Sequence, residues 1–433
     1  MLAQFFAFDI SPVSIVFLCF ATICAIFLLT FYRTRIARIA SHKKNCEPTI
    51  INNNPAQQIE EEEPAQEENS DSPFMLDFSV EEPETSILLP PLPSASVIVY
   101  SNDEASNLAV LLPQILKQDY PAPFEVIVVN DGSAESTSDV VSELQLTYPN
   151  LYHTYTPDRS RNLSRKKLAL TIGIKAARYD IVVCVNANSR VNSRHWLSLM
   201  TRNFKDGIDV VIGYATPNAE NDTFKGRRRR AFDRVAEAVI YLSAAIGNAP
   251  FRGFSYNLAY RRNCFFDNKG FSRSLNLHFG DDDIFINEIT TPRNTAVELS
   301  DDSIVECCFH HPVVSHNILK RRYNYTAKYL RQNSQLFFGA CSCVAWAWLI
   351  SSILAIVAAL PHLIPTLFIF ALTFVLALAL WIPLIITWRK AMTALKSRHL
   401  MMTIPWLILT RPFYNAIYKV KNKIHYRKNH TWI

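Results

Sequence analysis

Three absences organise this chain of 433 residues. From Asn45 to Pro93 there is no lysine or arginine, while Glu60 to Glu63, Glu67, Glu68, Glu81 and Glu82 alternate with prolines and amides. Such a stretch cannot bury enough apolar surface to offset its ordering entropy, so a disordered acidic linker is expected over 45–93. Met1 to Asp9 also has no basic residue, whereas a cleaved signal peptide would carry one in front of a shorter apolar core. The chain has no glycine-rich phosphate loop and no internal repeat, and supports neither a P-loop nor a classical dinucleotide fingerprint.

What is present begins with apolar runs. Ile10 to Tyr32, Leu336 to Leu360 and Leu363 to Trp388 each exceed the roughly 20 residues needed to cross a hydrocarbon core of about 30 Å. Arg33, Arg35, Arg38, Lys43 and Lys44 follow the first run, and Arg389, Lys390, Lys396 and Arg398 follow the third. By the positive-inside rule both basic ends lie in the cytoplasm, and so does the domain between them. Met401 to Leu409 is too short to cross; with the basic stretch Arg411 to Lys428 it is expected to lie along the anionic inner surface. The net charge of +6 belongs largely to these flanks, so membrane lipids, not nucleic acid, are the expected partners. The nine cysteines fall in spans or in a domain on the reducing side, where free thiols are expected. Cys307, Cys308, His310 and His311 lack zinc spacing, and neighbours on a strand point to opposite faces.

The expected organisation is an anchor with a basic flank (1–44), the acidic linker (45–93), a globular domain (94–335), two spans (336–388) and a basic surface tail (389–433). Within the domain, apolar runs at Ser96 to Tyr100, Glu125 to Val129 and Asp180 to Val185 alternate with helical patterns, and a short strand falls near Tyr152. That alternation predicts an α/β fold with a doubly wound parallel sheet. Each run ends in a polar loop: Ser101-Asn102-Asp103-Glu104, Asn130-Asp131-Gly132-Ser133 and Asn186-Ala187-Asn188. Open α/β sheets bind nucleotides at that carboxyl edge. Asp103 and Glu104 also suit a helix N-cap, and Asn-Asp-Gly is an ordinary turn. Asp281, Asp282 and Asp283 precede an apolar helical stretch; three adjacent carboxylates repel, which raises the pKa of one of them.

Taken in order, these motifs resemble a membrane-anchored bacterial family 2 glycosyltransferase over about Ser94 to Arg331 and the flanking helices. The resemblance implies a GT-A nucleotide-sugar-binding domain with one N-terminal and two C-terminal transmembrane helices. Asp103, Glu104 and Asp131 match the family's nucleotide contacts, and Lys166 matches a lysine near the donor diphosphate. Gly253 to Arg262, with Asn257, resembles the acceptor-side strand. Asp282 falls at the general base, beside Asp281. Arg322 and Tyr323, in Leu319-Lys320-Arg321-Arg322-Tyr323, occupy the place of a Gln-x-x-Arg-Trp motif as phosphate or acceptor contacts, although an interfacial cationic helix is the competing account.

One departure stands out. The family usually places Asp-x-Asp where this chain has Asn186 and Asn188, because Mg²⁺ or Mn²⁺ takes charged oxygen ligands beside the diphosphate. An amide oxygen brings no charge, so metal affinity is expected to fall. The implied activity is inverting transfer of a sugar from a nucleotide-sugar donor to a lipid-linked or glycan acceptor at the bacterial inner membrane, for envelope glycan or glycolipid synthesis. The alternative is an impaired glycosyltransferase-like subunit that binds nucleotide sugar or a partner enzyme. Sugar, nucleotide, acceptor and oligomeric state are not legible in these motifs.

Overall fold

The computed structural model describes residues 11–47, 50–52, 85–87, 92–132, 135–157, 164–217, 222–309, 311–331, 333–397, 400 and 402–428. Its strands are β1 (Ile50–Asn52), β2 (Thr85–Ile87), β3 (Ala95–Ser101), β4 (Phe124–Asn130), β5 (Leu151–Tyr155), β6 (Ile181–Asn186), β7 (Ser189–Arg190), β8 (Val210–Ile212), β9 (Ala215–Pro217), β10 (Leu258–Arg261), β11 (Thr295–Val297) and β12 (Val305–Cys307). The helices are α1 (Pro12–Cys46), α2 (Ala105–Leu116), α3 (Glu135–Gln145), α4 (Arg165–Ala176), α5 (Trp196–Thr201), α6 (Arg227–Ile246), α7 (Arg262–Asp267), α8 (Asp283–Ile289), α9 (Pro312–Thr326), α10 (Asn333–Ala359), α11 (Leu363–Ala394) and α12 (Ile404–Lys428). Most of the acidic linker, and His310, lie outside the described residues; β1 and β2, near the linker's two ends, pair antiparallel.

Seven strands form the central sheet in the order β11-β8-β10-β6-β3-β4-β5. The stretch β6-β3-β4-β5 is parallel, as the alternation of strands and helices predicts. The sheet as a whole is mixed, because β10 runs antiparallel to both β6 and β8. The chain reaches β10 from α6 and the loop after it, entering from the opposite end. Successive side chains on a strand face opposite ways, and the core divides accordingly. Val97, Val99, Val126 and Val128 pack with Leu108 and Leu112 of α2. Ile98, Ile127, Val129 and Val182 belong to a second core shared with α4, α6 and the long apolar helices. A small sheet, β7-β12-β9, covers the segment after β6.

Among the described residues, three helices are long and apolar enough to cross a membrane: α1, α10 from Gly339, and α11. The first of them does not stop at its apolar run. It continues through the basic flank to Cys46, and that end docks on the domain: Arg38 donates to the Ser243 carbonyl (3.3 Å), His42 Nε2 lies 2.7 Å from the Val297 carbonyl, and Lys43 pairs with Asp301 (2.6 Å). All nine cysteines are free.

The C-terminal segment is one helix, α12, and it is bound to protein. Arg411 donates to Asp233 (2.9 Å) and Glu237 (2.7 Å) of α6, and Arg229 stacks on Tyr414 at 4.1 Å. The Arg227–Arg230 run at the start of α6 is thereby split. Arg230 is buried against Asp222 (2.5 Å), and Arg227 and Arg228 remain exposed.

Candidate active site

The carboxyl ends of β3, β4 and β6 converge. The Asp131 amide donates to the Ser101 carbonyl and the Ala187 amide to the Tyr100 carbonyl, each at 2.8 Å, so adjacent strands tie their end loops together. Asp103 has φ of 53°, a left-handed conformation unusual outside glycine. Its carboxylate lies across the turn after β4, where a Cβ at Gly132 would sit 2.0 Å from Asp103 Oδ1. Only glycine lets these two loops approach so closely. Glu104 caps α2 through its backbone carbonyl, and its side chain accepts from Asn107.

Asp131 is buried and already bound. It accepts from the Tyr100 hydroxyl (2.9 Å), the Thr156 hydroxyl (2.6 Å) and Arg165 Nε (2.9 Å). The first turn of α4 presents three consecutive cations with different partners. Arg165 holds Asp131. Lys166 pairs with Asp281 (2.9 Å), donates to Ser255 Oγ (2.9 Å) and lies 5.2 Å from the Tyr100 ring centre. Lys167 is fully buried and donates to the carbonyls of Ser274, Leu277 and Phe279, the loop leading into the acidic triplet. Burial pulls its ammonium pKa down to about 8.

At the start of α8 the triplet is differentiated. Arg322 of α9 reaches Asp281 (2.7 Å) and Asp282 (2.6 Å). Asp282 caps the helix, accepting from the Asp283 amide (2.7 Å), and also accepts from the Ser255 amide (3.2 Å). Burial opposes ionisation of Asp281, but Arg322 and Lys166 outweigh it and hold its pKa well below the usual carboxylate range. Asp283 is the raised member: burial, then the neighbouring Asp282 charge, lift it to about 6. It accepts from the Thr326 hydroxyl, and Arg252 stands 3.9 Å away.

Residues 96–281 match the family model described as Glycosyl transferase family 2. That segment is similar to the family 2 glycosyltransferases. Two curated relatives, both named poly-beta-1,6-N-acetyl-D-glucosamine synthase and both from Staphylococcus epidermidis, are 27% and 26% identical over 97 residues. Those alignments span 22% of this chain and 22% of each relative. Among solved structures, a mannosyltransferase from Pyrobaculum calidifontis, in complex with GDP-Man and Mn²⁺, aligns with 92% of this chain and 99% of its own at 16% identity and TM-score 0.48. S. aureus TarS 1-349 aligns with 76% of this chain and 88% of its own at 16% identity and TM-score 0.38.

Within this domain, the fold gathers most of the residues marked in the sequence. Lys166, Asp281, Asp282 and Arg322 form one ion-pair chain, and Tyr100 joins it to Asp131. Tyr323 lies to one side, with the Arg252 guanidinium on one ring face at 4.1 Å. Asn257 is placed apart. It is fully buried, accepts from Trp196 Nε1 (3.1 Å) and donates to the carbonyls of Tyr214 (2.9 Å) and Ser303 (2.8 Å). The expected acceptor-side amide is thus a tie within the core, admitted by Gly213, where a Cβ would fall 2.5 Å from it.

At Asn186-Ala187-Asn188 the family implies a divalent ion. The structure shows two uncharged amides, with Asn186 buried at the end of β6 and the Asn188 carbonyl accepting from the Cys308 amide (2.8 Å). Asp131, Asp281 and Asp282 are held by cations, and among the described residues no group of three or more His, Cys, Asp or Glu could hold a metal. This donor set does not fit a hard divalent cation, which favours carboxylate oxygens. Tyr100, Arg165, Lys167, Arg252 and Ser255 were not singled out by the sequence. Their cue was adjacency to marked residues, as with Arg165 and Lys167 beside Lys166.

Proposed function

We propose that the domain transfers a sugar, with inversion, from a nucleotide-sugar donor to a lipid-linked or membrane-proximal acceptor in envelope glycan or glycolipid synthesis. One observation carries the reading: Asp282 is fixed at the mouth of α8 by Arg322 and the Ser255 amide, while Ser255 Oγ binds Lys166 on the nucleotide side. Base and donor-side cation are thus joined through a single residue. In this reading Asp103, Glu104 and Asp131 face the nucleoside, and Lys166 meets the charge gathering on the departing diphosphate. The acceptor hydroxyl attacks the anomeric carbon from the opposite side and gives its proton to Asp282 Oδ2. Arg322 holds Asp282 in position for that step and, with Lys166, keeps Asp281 ionised.

A membrane-level acceptor is supported by a cavity of about 710 Å³ among α6, α9, α10 and α12. Its lining includes the cations Arg252, Lys320 and Arg411 and the apolar side chains Trp346, Ile350 and Phe413. That volume lies within the roughly 300–1,000 Å³ of ligand pockets. Arg252 links it to Asp283 and so to the base. The docking of the basic end of α1 on the domain supports a cytoplasmic domain at a bacterial inner membrane, since basic flanks stay inside.

A second reading, a glycosyltransferase-like subunit that binds nucleotide sugar or a partner enzyme without turnover, is favoured by the amide pair. Detergent-solubilised protein assayed against a panel of nucleotide sugars decides between them. Turnover that disappears in Asp282→Asn supports the enzyme; donor binding without turnover supports the subunit.

A further inference from the structure

Two adjacent lysines grip the acidic motif in different ways. Lys166 takes the Asp281 carboxylate (2.9 Å). Lys167 takes the main chain that delivers it: its ammonium donates to the carbonyls of Ser274, Leu277 (3.1 Å) and Phe279 (2.9 Å). The residue before α4 joins in, since the Ser164 amide donates to the Leu275 carbonyl (3.3 Å) and its hydroxyl to the His278 carbonyl (3.1 Å). Only Gly280 separates this anchored loop from the triplet. Its φ of 104° is left-handed, and a Cβ there would fall 2.4 Å from Ile284 Cδ1, so glycine turns the chain directly into the cap of α8. Where Phe279 is held therefore governs where Asp281 and Asp282 stand. Lys167 is fully buried, and an ammonium removed from water is costly unless its three donors are met. A methionine would fill similar space without that cost. What the charge adds over an apolar side chain is an ordered loop.

We propose that Lys167 is a positioning residue: by fixing the 274–279 main chain ahead of Gly280, it sets where Asp281 and Asp282 meet Lys166 and Arg322. Its consequence for turnover rests on the reading of Asp282 as the base; its consequence for the loop does not.

The test uses the full chain in detergent. Wild type is compared with Lys167→Met, which keeps the bulk of the side chain and removes its donors, and with Lys167→Arg, which restores donors and charge. Hydrogen exchange read by mass spectrometry comes first and needs no nucleotide. In Lys167→Met the amides of 274–283 are expected to exchange about 10-fold or more faster, with β3 and β4 within about twofold of wild type. Unchanged exchange over 274–283 overturns the proposal. Equal quickening throughout the sheet also overturns it, because that is a loss of global stability. Transfer kinetics then divide the effect. In Lys167→Met, kcat is expected to fall about 10- to 100-fold, the order of loss from a displacement of about 1 Å, with donor KM within about twofold and Lys167→Arg recovering part of the loss. A change confined to KM, or a kcat within about twofold of wild type, sinks the positioning role. Where wild type shows no transfer, the nucleotide-sugar reading fails and the exchange result decides alone. Should Lys167→Met fail to fold, Lys167→Gln, which keeps an amide NH2 donor, takes its place in both measurements.

Discussion

Arg322 lies 2.6 Å from Asp282, whose carboxylate is buried while the arginine side chain is 12% exposed. The pair sits where the first turn of α8 meets the last turn of α9, and the same guanidinium nitrogen reaches Asp281 at 2.7 Å. One cation therefore neutralises two carboxylates inside the protein. Arg322→Met is expected to destabilise the domain by about 3–5 kcal/mol, the usual cost of leaving buried charge unpaired. Arg322→Lys should recover part of it. Thermal unfolding of the detergent-solubilised chain measures both, and a loss below about 1 kcal/mol would contradict the pairing.

Asp282→Asn separates chemistry from structure. An asparagine oxygen still accepts from the Ser255 or Asp283 amide, so the fold should persist. Under the proposed mechanism, turnover falls about 100- to 10,000-fold, the usual worth of a general base, with donor affinity little changed. Single-turnover transfer and donor calorimetry supply the two numbers.

Asp283 predicts a pH dependence. Its carboxyl is raised to about 6 by burial and by Asp282. The stability from its protonated form is complete below the ordinary carboxylate range and is lost as pH rises through about 6. Asp283→Asn, whose oxygen can still accept from the Ile284 amide while its NH2 donates to the Thr326 hydroxyl, removes that loss. Its Tm should exceed wild type by about 4 °C at pH 8 and match it near pH 4. A Tm difference independent of pH would count against this account.

Arg411 tests the docking of α12. It reaches Asp233 at 2.9 Å and Glu237 at 2.7 Å, and Lys320 shares both partners at 2.6 and 3.2 Å. Arg411→Leu is therefore expected at the lower end for a broken buried pair, about 3 kcal/mol. Lys419→Ala, at an exposed position of the same helix, should stay within about 0.5 kcal/mol. Limited proteolysis of the C-terminal segment provides a second readout: Arg411→Leu should be cut faster there.

The alternation of apolar runs with polar, carboxylate-bearing loops determined the parallel half of the sheet, because strand ends and helix starts are local events. Long apolar runs likewise marked α1, α10 and α11, since length and composition suffice for a span. Local pattern also explains the triplet Asp281 to Asp283, whose mutual repulsion is written in adjacent positions. Which member carries the raised pKa was decided by Arg322 and Lys166, which take Asp281, and by the burial of Asp283 beside Asp282. The antiparallel entry of β10, the sealing of Asn257 in the core, and the meeting of Arg322 with Asp281 and Asp282 came only from the tertiary structure. Periodicity reports which face of an element is buried. It does not report which side chain, tens of residues away, the crossing of elements brings within hydrogen-bond reach. For a site built from ion pairs and amide contacts between β6, α4, α8 and α9, that crossing chose the partners.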